Sequence, residues 1–194
     1  MGTLILTMHT SADGFVATDD GEMWPAFGWP PEAQAHLNDL YREAVAVIYG
    51  RRIYETVVPF WTGIAANGLP EGMPLGETDL EFARIMDPLP KYVVSRGYDP
   101  ADANTEVIGA PEVAGIVEAA GGPVLMLAGG ALAGELREVI DEIFLLVGPI
   151  VLGSGQPLLD VTGPVPTRLL TAWAIPPSCT VMRYAVADEF PAQQ

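Results

Sequence analysis

Short apolar segments recur along this chain, and most are followed by a stretch whose apolar residues have helical spacing. Short apolar runs bounded by turn residues are typical of buried strands. The strands predicted in this way are 3–9, 45–49, 91–95, 105–108, 124–128 and 142–147. Two later runs, 167–175 and 178–187, predict an antiparallel pair. Alternating strands and helices followed by strands alone predict an α/β domain, with a mostly parallel sheet and an antiparallel C-terminal edge.

Helices are predicted between the strands. Residues 32–44 carry Leu37, Leu40 and Tyr41 on one face at three- and four-residue spacing, which is typical of an amphipathic helix. The next helix begins near Arg51, and we expect it to end at Pro59 because proline lacks the amide hydrogen that a helix interior needs.

The remaining helices are predicted from local signals. Thr78 followed by Glu81 has the spacing of a capping box and predicts the start of a short helix. Pro111 suits the first position of another helix, which runs to the glycines at 121 and 122. A last helix is predicted over 131–139. Two segments rich in turn residues, 10–31 and 61–76, are expected to be surface loops.

Two of the predicted strands end in glycine. The run 45–49 leads into Gly50-Arg51-Arg52, and the run 124–128 leads into Gly129-Gly130. At the carboxyl edge of a parallel sheet, free backbone N–H groups and the helix dipole favour an anionic ligand. Because one of the two steps carries a pair of arginines, the sequence predicts a phosphate-bearing ligand such as a nucleotide.

The composition limits the alternatives. The 194 residues suit one domain over 1–188 with a tail over 189–194, and no run reaches the roughly 18 apolar residues of a membrane span. The N-terminus reads as a first strand rather than a signal peptide. The single cysteine, Cys179, fits a reducing cytoplasm, and the spacing of His9 and His36 does not predict a structural zinc site.

The charge balance is strongly acidic, with 9 basic against 25 acidic residues and a net charge of −16. A nucleic-acid-binding protein needs a basic surface, so this chain is not expected to bind a polyanion. The acidity itself indicates solubility. If an acidic protein of this kind binds a phosphate, its few arginines must be focused at that site, which draws attention to Arg51, Arg52 and Arg96.

Five segments in this order resemble the dihydrofolate-reductase fold, and more closely its branch related to the C-terminal reductase domain of the bacterial riboflavin-synthesis protein. The matching segments are Ser11-Ala12-Asp13-Gly14-Phe15-Val16-Ala17, Gly50-Arg51-Arg52-Ile53-Tyr54-Glu55, Val94-Ser95-Arg96, Gly129-Gly130-Ala131, and Asp141-Glu142-Ile143 followed by residues 148–155. The resemblance implies a three-layer α/β/α domain.

The resemblance also implies NADPH as cofactor. Arg51 would then lie near the 2′-phosphate with Arg52 beside it, since a guanidinium matches a phosphate bidentately. The other implied contacts are Ser95 and Arg96 along the adenosine, Gly50, Gly129, Gly130, Ala131 and Leu132 around the pyrophosphate, and Val16 and Ala17 against the nicotinamide. Relatives commonly have threonine where Ile53 stands, so one hydrogen bond to the pyrophosphate is missing or comes from elsewhere.

Asp13 is the candidate for substrate orientation or proton delivery, because it follows the first strand near the expected nicotinamide position. Its alternative role is structural, since an Asp-Gly pair is typical of a turn in which the aspartate accepts from its own backbone. We expect Asp39 and Glu43 to lie on the solvent-exposed face of their helix. Neither is therefore assigned as the carboxylate with which dihydrofolate reductases bind a pteridine.

Three tryptophans, Trp24, Trp29 and Trp61, lie in predicted loops. Either they wall a site for a flat ring, since aromatic faces stack on planar heterocycles, or they anchor the loops or a subunit contact. Relatives usually form homodimers through the C-terminal part of the sheet, and the apolar segment 143–152 is the corresponding candidate here.

The leading hypothesis is an NADPH-dependent reductase that acts on a small planar heterocycle resembling a pteridine or a pyrimidine. The alternatives are a nucleotide-binding module without catalysis, or an interaction domain with no nucleotide site. A riboflavin-pathway reductase that acts on its own also remains open. The deaminase domain that commonly accompanies that activity carries zinc-binding Cys and His residues, and this chain has no such set.

Overall fold

A sheet of eight strands organises the molecule. The computed structural model describes residues 2–21, 29–100 and 104–189. Its strands are β1 (Thr3–Thr10), β2 (Phe15–Ala17), β3 (Ala46–Gly50), β4 (Lys91–Val94), β5 (Thr105–Ile108), β6 (Pro123–Leu127), β7 (Glu142–Val147), β8 (Gln156–Pro157), β9 (Thr167–Ile175) and β10 (Cys179–Val186). The strand order is β5-β4-β3-β6-β1-β7-β10-β9, and β2 pairs separately with β8.

The predicted architecture is confirmed. The pairs from β5 to β7 are all parallel, whereas β10 is antiparallel to both β7 and β9. Alternate residues of a strand face opposite sides of the sheet, and β1 accordingly sends Ile5 into one core and Leu4 and Leu6 into the other. Two hydrophobic cores on opposite faces of the sheet give three layers.

Helices cover both faces. They are α1 (Pro31–Glu43), α2 (Arg51–Asn67), α3 (Glu77–Met86), α4 (Val113–Ala119) and α5 (Gly130–Glu135), with a 3₁₀ turn at Ala110–Glu112 before α4. Helices α1, α2 and α3 supply one core, and α4 and α5 supply the other. In the described residues, no helix combines the length and the apolar character needed to cross a bilayer.

The predicted end of α2 at Pro59 is wrong, because the helix continues to Asn67. Proline inside a helix costs about 3 kcal/mol through its missing donor and a steric clash. Pro59 lies on the exposed face, where water can hydrate the freed carbonyl. Val58 and Ile64 are buried on either side of it, and this packing favours the continued helix.

The cap of α3 also differs from the prediction. The backbone N–H of Gly76 donates to Oδ2 of Asp79 at 2.8 Å, so the cap lies two residues before the predicted Thr78. Glu81 is engaged elsewhere, since it accepts from Asn38 and Arg42 of α1. Because α2 continues to Asn67, the loop predicted over 61–76 is confined to 68–76. The loop predicted over 10–31 contains the short strand β2.

Candidate active site

The carboxyl ends of β4, β3 and β6 lie side by side. Gly50 is in register with Val94 of β4, and Tyr49 is in register with Leu127 of β6. A Cβ atom on Gly50 would lie 3.6 Å from Cα of Ala128 and 3.8 Å from the backbone nitrogen of Gly129. The segments implied for the cofactor, which begin at Gly50, Ser95 and Gly129, therefore meet at one edge of the sheet.

The adjacent glycines at the start of α5 have different surroundings. A Cβ on Gly129 would meet no atom of the described chain within 4 Å, so its backbone is open to a ligand. A Cβ on Gly130 would lie 2.3 Å from the carbonyl oxygen of Pro157. The oxygen of Gly130 also accepts from the N–H of Asp160 at 2.9 Å. Gly130 is thus required by packing against the segment 157–160.

The two arginines at the start of α2 are not equivalent. Nε of Arg51 donates to Oε1 of Glu55 at 2.9 Å, and its guanidinium lies 5.3 Å from the centroid of the Tyr98 ring. Arg52 is exposed and makes no ion pair with any described residue. Its Nη1 atom lies 3.9 Å from the Cβ position of Gly21. Arg51 is held by its own helix, whereas Arg52 has no ion pair among the described residues.

Asp13 fastens the loop after β1 to a distant segment of the chain. Its carboxylate accepts from Oγ of Ser11 at 2.7 Å, from the N–H of Leu152 at 3.1 Å and from the N–H of Gly153 at 2.8 Å. The Ser11 and backbone hydrogen bonds lower the pKa of Asp13 to about 2. Asp13 does not line the cavity described below, and these contacts favour the structural role left open above.

The loop that Asp13 fastens carries Val16 and Ala17, the residues implied for the nicotinamide. Both are buried, and Val16 lines the cavity. Ala17 packs against Gly155, whose φ is +154°; a Cβ there would lie 2.3 Å from the Ala17 oxygen. The glycine at 155 therefore permits the close approach of the segment 148–155 to β2.

A cavity of about 500 Å³ opens between the end of β1 and helices α1, α2 and α3. Its walls are mostly apolar, and its six aromatic side chains are His9, Trp29, Tyr41, Phe60, Trp61 and Phe82. The rings of His9 and Trp29 stack with centroids 4.5 Å apart. Trp61 packs edge-on against Phe82 with centroids 4.8 Å apart. Of the three tryptophans for which a wall was one of two possible roles, Trp29 and Trp61 line the cavity, and Trp24 lies outside the described residues.

A model of the family described as the RibD C-terminal domain matches residues 2–181 of the chain. The chain belongs to this family. No curated protein matches it significantly.

Solved structures with the same fold include members of the RibD group. The RibD protein of Acinetobacter baumannii is 16% identical with a TM-score of 0.68, and the match covers 97% of this chain and 59% of that one. The diaminohydroxyphosphoribosylaminopyrimidine deaminase/5-amino-6-(5-phosphoribosylamino)uracil reductase of Thermotoga maritima is 14% identical, with a TM-score of 0.64 and coverage of 96% and 57%. The chain therefore spans less than two thirds of these two proteins.

A dihydrofolate reductase is also similar in structure. The enzyme of Enterococcus faecalis, complexed with NADP(H), is 11% identical with a TM-score of 0.61, and the match covers 96% of this chain and 97% of that one. These likenesses establish the dihydrofolate-reductase-like fold of this RibD C-terminal domain.

The polar groups of the cavity in this RibD C-terminal domain were not predicted from the sequence. Gln34, which is 3% exposed, donates from Nε2 to Oδ1 of Asn38 at 3.0 Å. Asn38 donates in turn to the carbonyl of Thr78 and to Glu81. A polar pair at i and i+4 on the same helix face as Leu37 and Tyr41 was the available signal.

Two titratable side chains, His9 and Asp79, also line the cavity. His9 is half-buried beside Trp29, and desolvation lowers its pKa from 6.5 to about 4, so its imidazole is neutral at pH 7. Asp79, which caps α3, lines the opposite wall. The candidate acidic residues of α1 are placed as expected: Asp39 and Glu43 are exposed, and Asp39 pairs with Arg42.

The fit of the chain to NADPH rests on the open edge of the sheet. Gly129 leaves room where a side chain would block the backbone, Arg52 offers a guanidinium, and the first turn of the 17-residue helix α2 offers free N–H groups. Ile53, at the position where relatives commonly have threonine, packs into the cavity wall and offers no hydroxyl. Helix α5 has only six residues, so its dipole adds little at Gly129.

Proposed function

We propose that the protein is an NADPH-dependent reductase that transfers a hydride to a small planar heterocycle resembling a pteridine or a pyrimidine. The observation that carries the proposal is that the apolar cavity is lined by Ile53 and Leu127, which lie three and two residues from Gly50 and Gly129 at the edge of the sheet. Membership of the RibD C-terminal domain family supports the reductase chemistry. The proposal rests on this site as well as on the fold, because fold alone does not establish function.

Within the proposal, the chain's own residues bind and orient. Arg52, with Arg51 beside it, would hold the 2′-phosphate, and Ser95 and Arg96 would flank the adenosine. Backbone groups around Gly50, Gly129, Gly130, Ala131 and Leu132 would surround the pyrophosphate. NADPH supplies the hydride, while the aromatic walls exclude water from the cavity.

For Asp13 we propose positioning rather than proton delivery. A carboxyl group with a pKa of about 2 is ionised at neutral pH and has no proton to give. Its hydrogen bonds to Leu152 and Gly153 instead hold the loop that carries Val16 into the cavity wall. Asp13→Asn should therefore change the KM for NADPH more than kcat, and a loss confined to kcat would contradict this role.

The test of the proposed function is a titration with NADPH and NADH, followed by quenching of tryptophan fluorescence. We expect a clear preference for NADPH that falls at least about tenfold in Arg52→Ala, because a charge-assisted phosphate contact is removed. Arg84→Ala, an exposed arginine on α3, is the matched control and should keep the preference. No binding of either cofactor would refute the proposal.

One alternative remains within the same site. This alternative is a nucleotide-binding module without catalysis. It is favoured by Ile53, because relatives commonly have threonine at this position and isoleucine has no hydroxyl to bind the pyrophosphate. Stoichiometric NADPH binding with no oxidation of NADPH, measured at 340 nm against a panel of pyrimidines and pteridines, would support this alternative over the reductase.

We also propose a homodimer through the C-terminal part of the sheet. Strand β7, which supplies the first part of the segment 143–152, is paired on both sides within the chain, whereas Val151 in the same segment is 72% exposed. The edge strand β9 exposes Leu169 by 53% and Leu170 by 39%, and apolar side chains on an open edge favour pairing with another chain. Sedimentation equilibrium should give a dimer for the protein and a monomer for Leu169→Glu.

A further inference from the structure

The charged residues around the cavity narrow the substrate class, an inference that rests on the proposed function. The chain has nine lysine and arginine residues in all, every one of them in the described part of the chain, and none lines the cavity. Arg42 is engaged on the outer side of α1 with Asp39 and Glu81.

The charge states of His9 and Asp79, which line the cavity, also disfavour the binding of an anionic substrate. Desolvation lowers the pKa of His9 to about 4, so this ring carries no positive charge at pH 7. Asp79 places a carboxylate on the wall. A phosphate in this cavity would lose its hydration without gaining a counter-charge, which is costly, and a like charge beside it adds repulsion.

The hydrogen bonds of α1 define what the cavity offers instead. Thr78 and Glu81 both accept from Nδ2 of Asn38, so Oδ1 of Asn38 is the acceptor for Gln34. The amide of Gln34 is thereby fixed with Nε2 toward Asn38. Its Oε1 atom has no hydrogen bond to a described residue, which leaves an acceptor at the cavity wall. Apolar walls with few well-placed polar groups are typical of small-molecule sites.

We propose that the cavity takes an uncharged, planar heterocyclic substrate that donates an N–H group to Oε1 of Gln34, and that it excludes phosphorylated substrates. The aromatic walls bind the ring, Gln34 sets its orientation, and the lack of a cation sets the specificity.

The test is isothermal titration calorimetry with matched neutral and charged probes, which requires neither cofactor nor turnover. We expect 2-naphthol to bind at least about tenfold more tightly than 2-naphthyl phosphate. We expect quinolin-2(1H)-one to bind at least about fivefold more tightly than its N-methyl derivative, because only the former donates to Gln34. Gln34→Met should abolish this second preference and leave the first.

A gain-of-charge variant tests the specificity without disturbing the core. Met73 lines the cavity from the loop 68–76 and is 48% exposed, so Met73→Arg should fold normally. It should bind 2-naphthyl phosphate at least about fivefold more tightly than the unaltered protein does, with 2-naphthol little changed. Met73→Gln is the uncharged control.

Equal or tighter binding of 2-naphthyl phosphate by the unaltered protein would overturn the inference. Failure of every neutral probe to bind at millimolar concentration would overturn it as well. Both outcomes are separate from failure of the reductase proposal, which is decided by the NADPH titration alone.

Discussion

Gln34 and Asn38 lie one turn apart on the buried face of α1, and the amide nitrogen of Gln34 donates to the amide oxygen of Asn38 at 3.0 Å. Because Asn38 also donates to the carbonyl of Thr78 at 3.0 Å, the same side chain ties α1 to the start of α3. Asn38 therefore links the polar wall of the cavity to the contact between these two helices.

Asn38→Leu should destabilise the fold. The substitution leaves the Thr78 carbonyl and the Gln34 amide without this partner, and a buried unsatisfied polar group costs about 1–3 kcal/mol. The free energy of unfolding in urea measures the loss. Asp39→Asn, on the exposed side of the same helix, should change it by no more than about 0.5 kcal/mol. Equal effects of the two substitutions would show that Asn38 has no special role.

The two glycines before α5 should respond differently to alanine. Gly130→Ala places a Cβ 2.3 Å from the Pro157 oxygen, so we expect a marked fall in melting temperature. Gly129→Ala meets no protein atom within 4 Å and should fold normally while binding NADPH at least about fivefold more weakly, because its Cβ occupies the space open to the ligand. Normal NADPH affinity in Gly129→Ala would show that the cofactor does not approach this backbone.

Removing the acidic partner of Arg51 should strengthen cofactor binding. Glu55 accepts from Nε of Arg51 at 2.9 Å and competes with a phosphate for the guanidinium. Glu55→Gln should therefore lower the Kd for NADPH by about two- to fivefold and leave that for NADH nearly unchanged, as a surface ion pair contributes roughly 0.2–1 kcal/mol. An equal gain for both cofactors would place Arg51 away from the 2′-phosphate. The titration used for Arg52→Ala measures both.

The stability of the protein should fall between pH 6.5 and pH 4 because of His9. The pKa of His9 is about 4 in the folded protein against 6.5 for the free side chain. The unfolded chain therefore takes up a proton in this window that the folded protein does not, and stability rises with pH up to about 6.5. Urea unfolding from pH 4 to pH 7.5 should show a shallower dependence in His9→Phe. His36→Phe, which alters the histidine stacked on Trp173, should keep the original slope.

Asp13 should make the free energy of unfolding depend on pH in a second, more acidic range. Its pKa is about 2 against the ordinary 3.8, so its stabilising effect is complete above pH 3.8 and is lost as the pH falls toward 2. Asp13→Asn should remove this part of the acid dependence. Asp20→Asn, which alters an exposed carboxylate of the same loop, should retain it. Acid curves that coincide for Asp13→Asn and the unaltered protein would argue against the hydrogen bonds to Leu152 and Gly153.

The succession of strands along the chain and the edge carrying Gly50 and Gly129 were predictable because both depend on local pattern, namely short apolar runs, two of which end in glycine. The course of α2 past Pro59 was not, since the burial of Val58 and Ile64 that outweighs the proline is a tertiary effect. The hydrogen-bond partners of Asp13 could not be predicted either. They lie about 140 residues away in the sequence, and no local signal reports a contact of that range.

The cavity was the least predictable part. Its walls come from β1, three helices and the loop 68–76, and only their packing brings Trp29, Gln34 and Trp61 together. An amphipathic pattern identifies which face of a helix is buried but does not say whether that face meets a core or an empty space. The polar pair on α1 is the feature that a closer examination of the sequence could have found.

The central position of β1 has a consequence for how the protein folds. Strand β1 pairs with β6 and β7, whose residues follow more than a hundred positions later in the sequence. Pairings of such long range close slowly, because the entropy of a long loop is lost before its contacts form. We therefore expect the apolar β1 to remain unpaired until β6 has been synthesised. Chains truncated before β6 should depend on chaperones far more than chains that include β6 and β7 do.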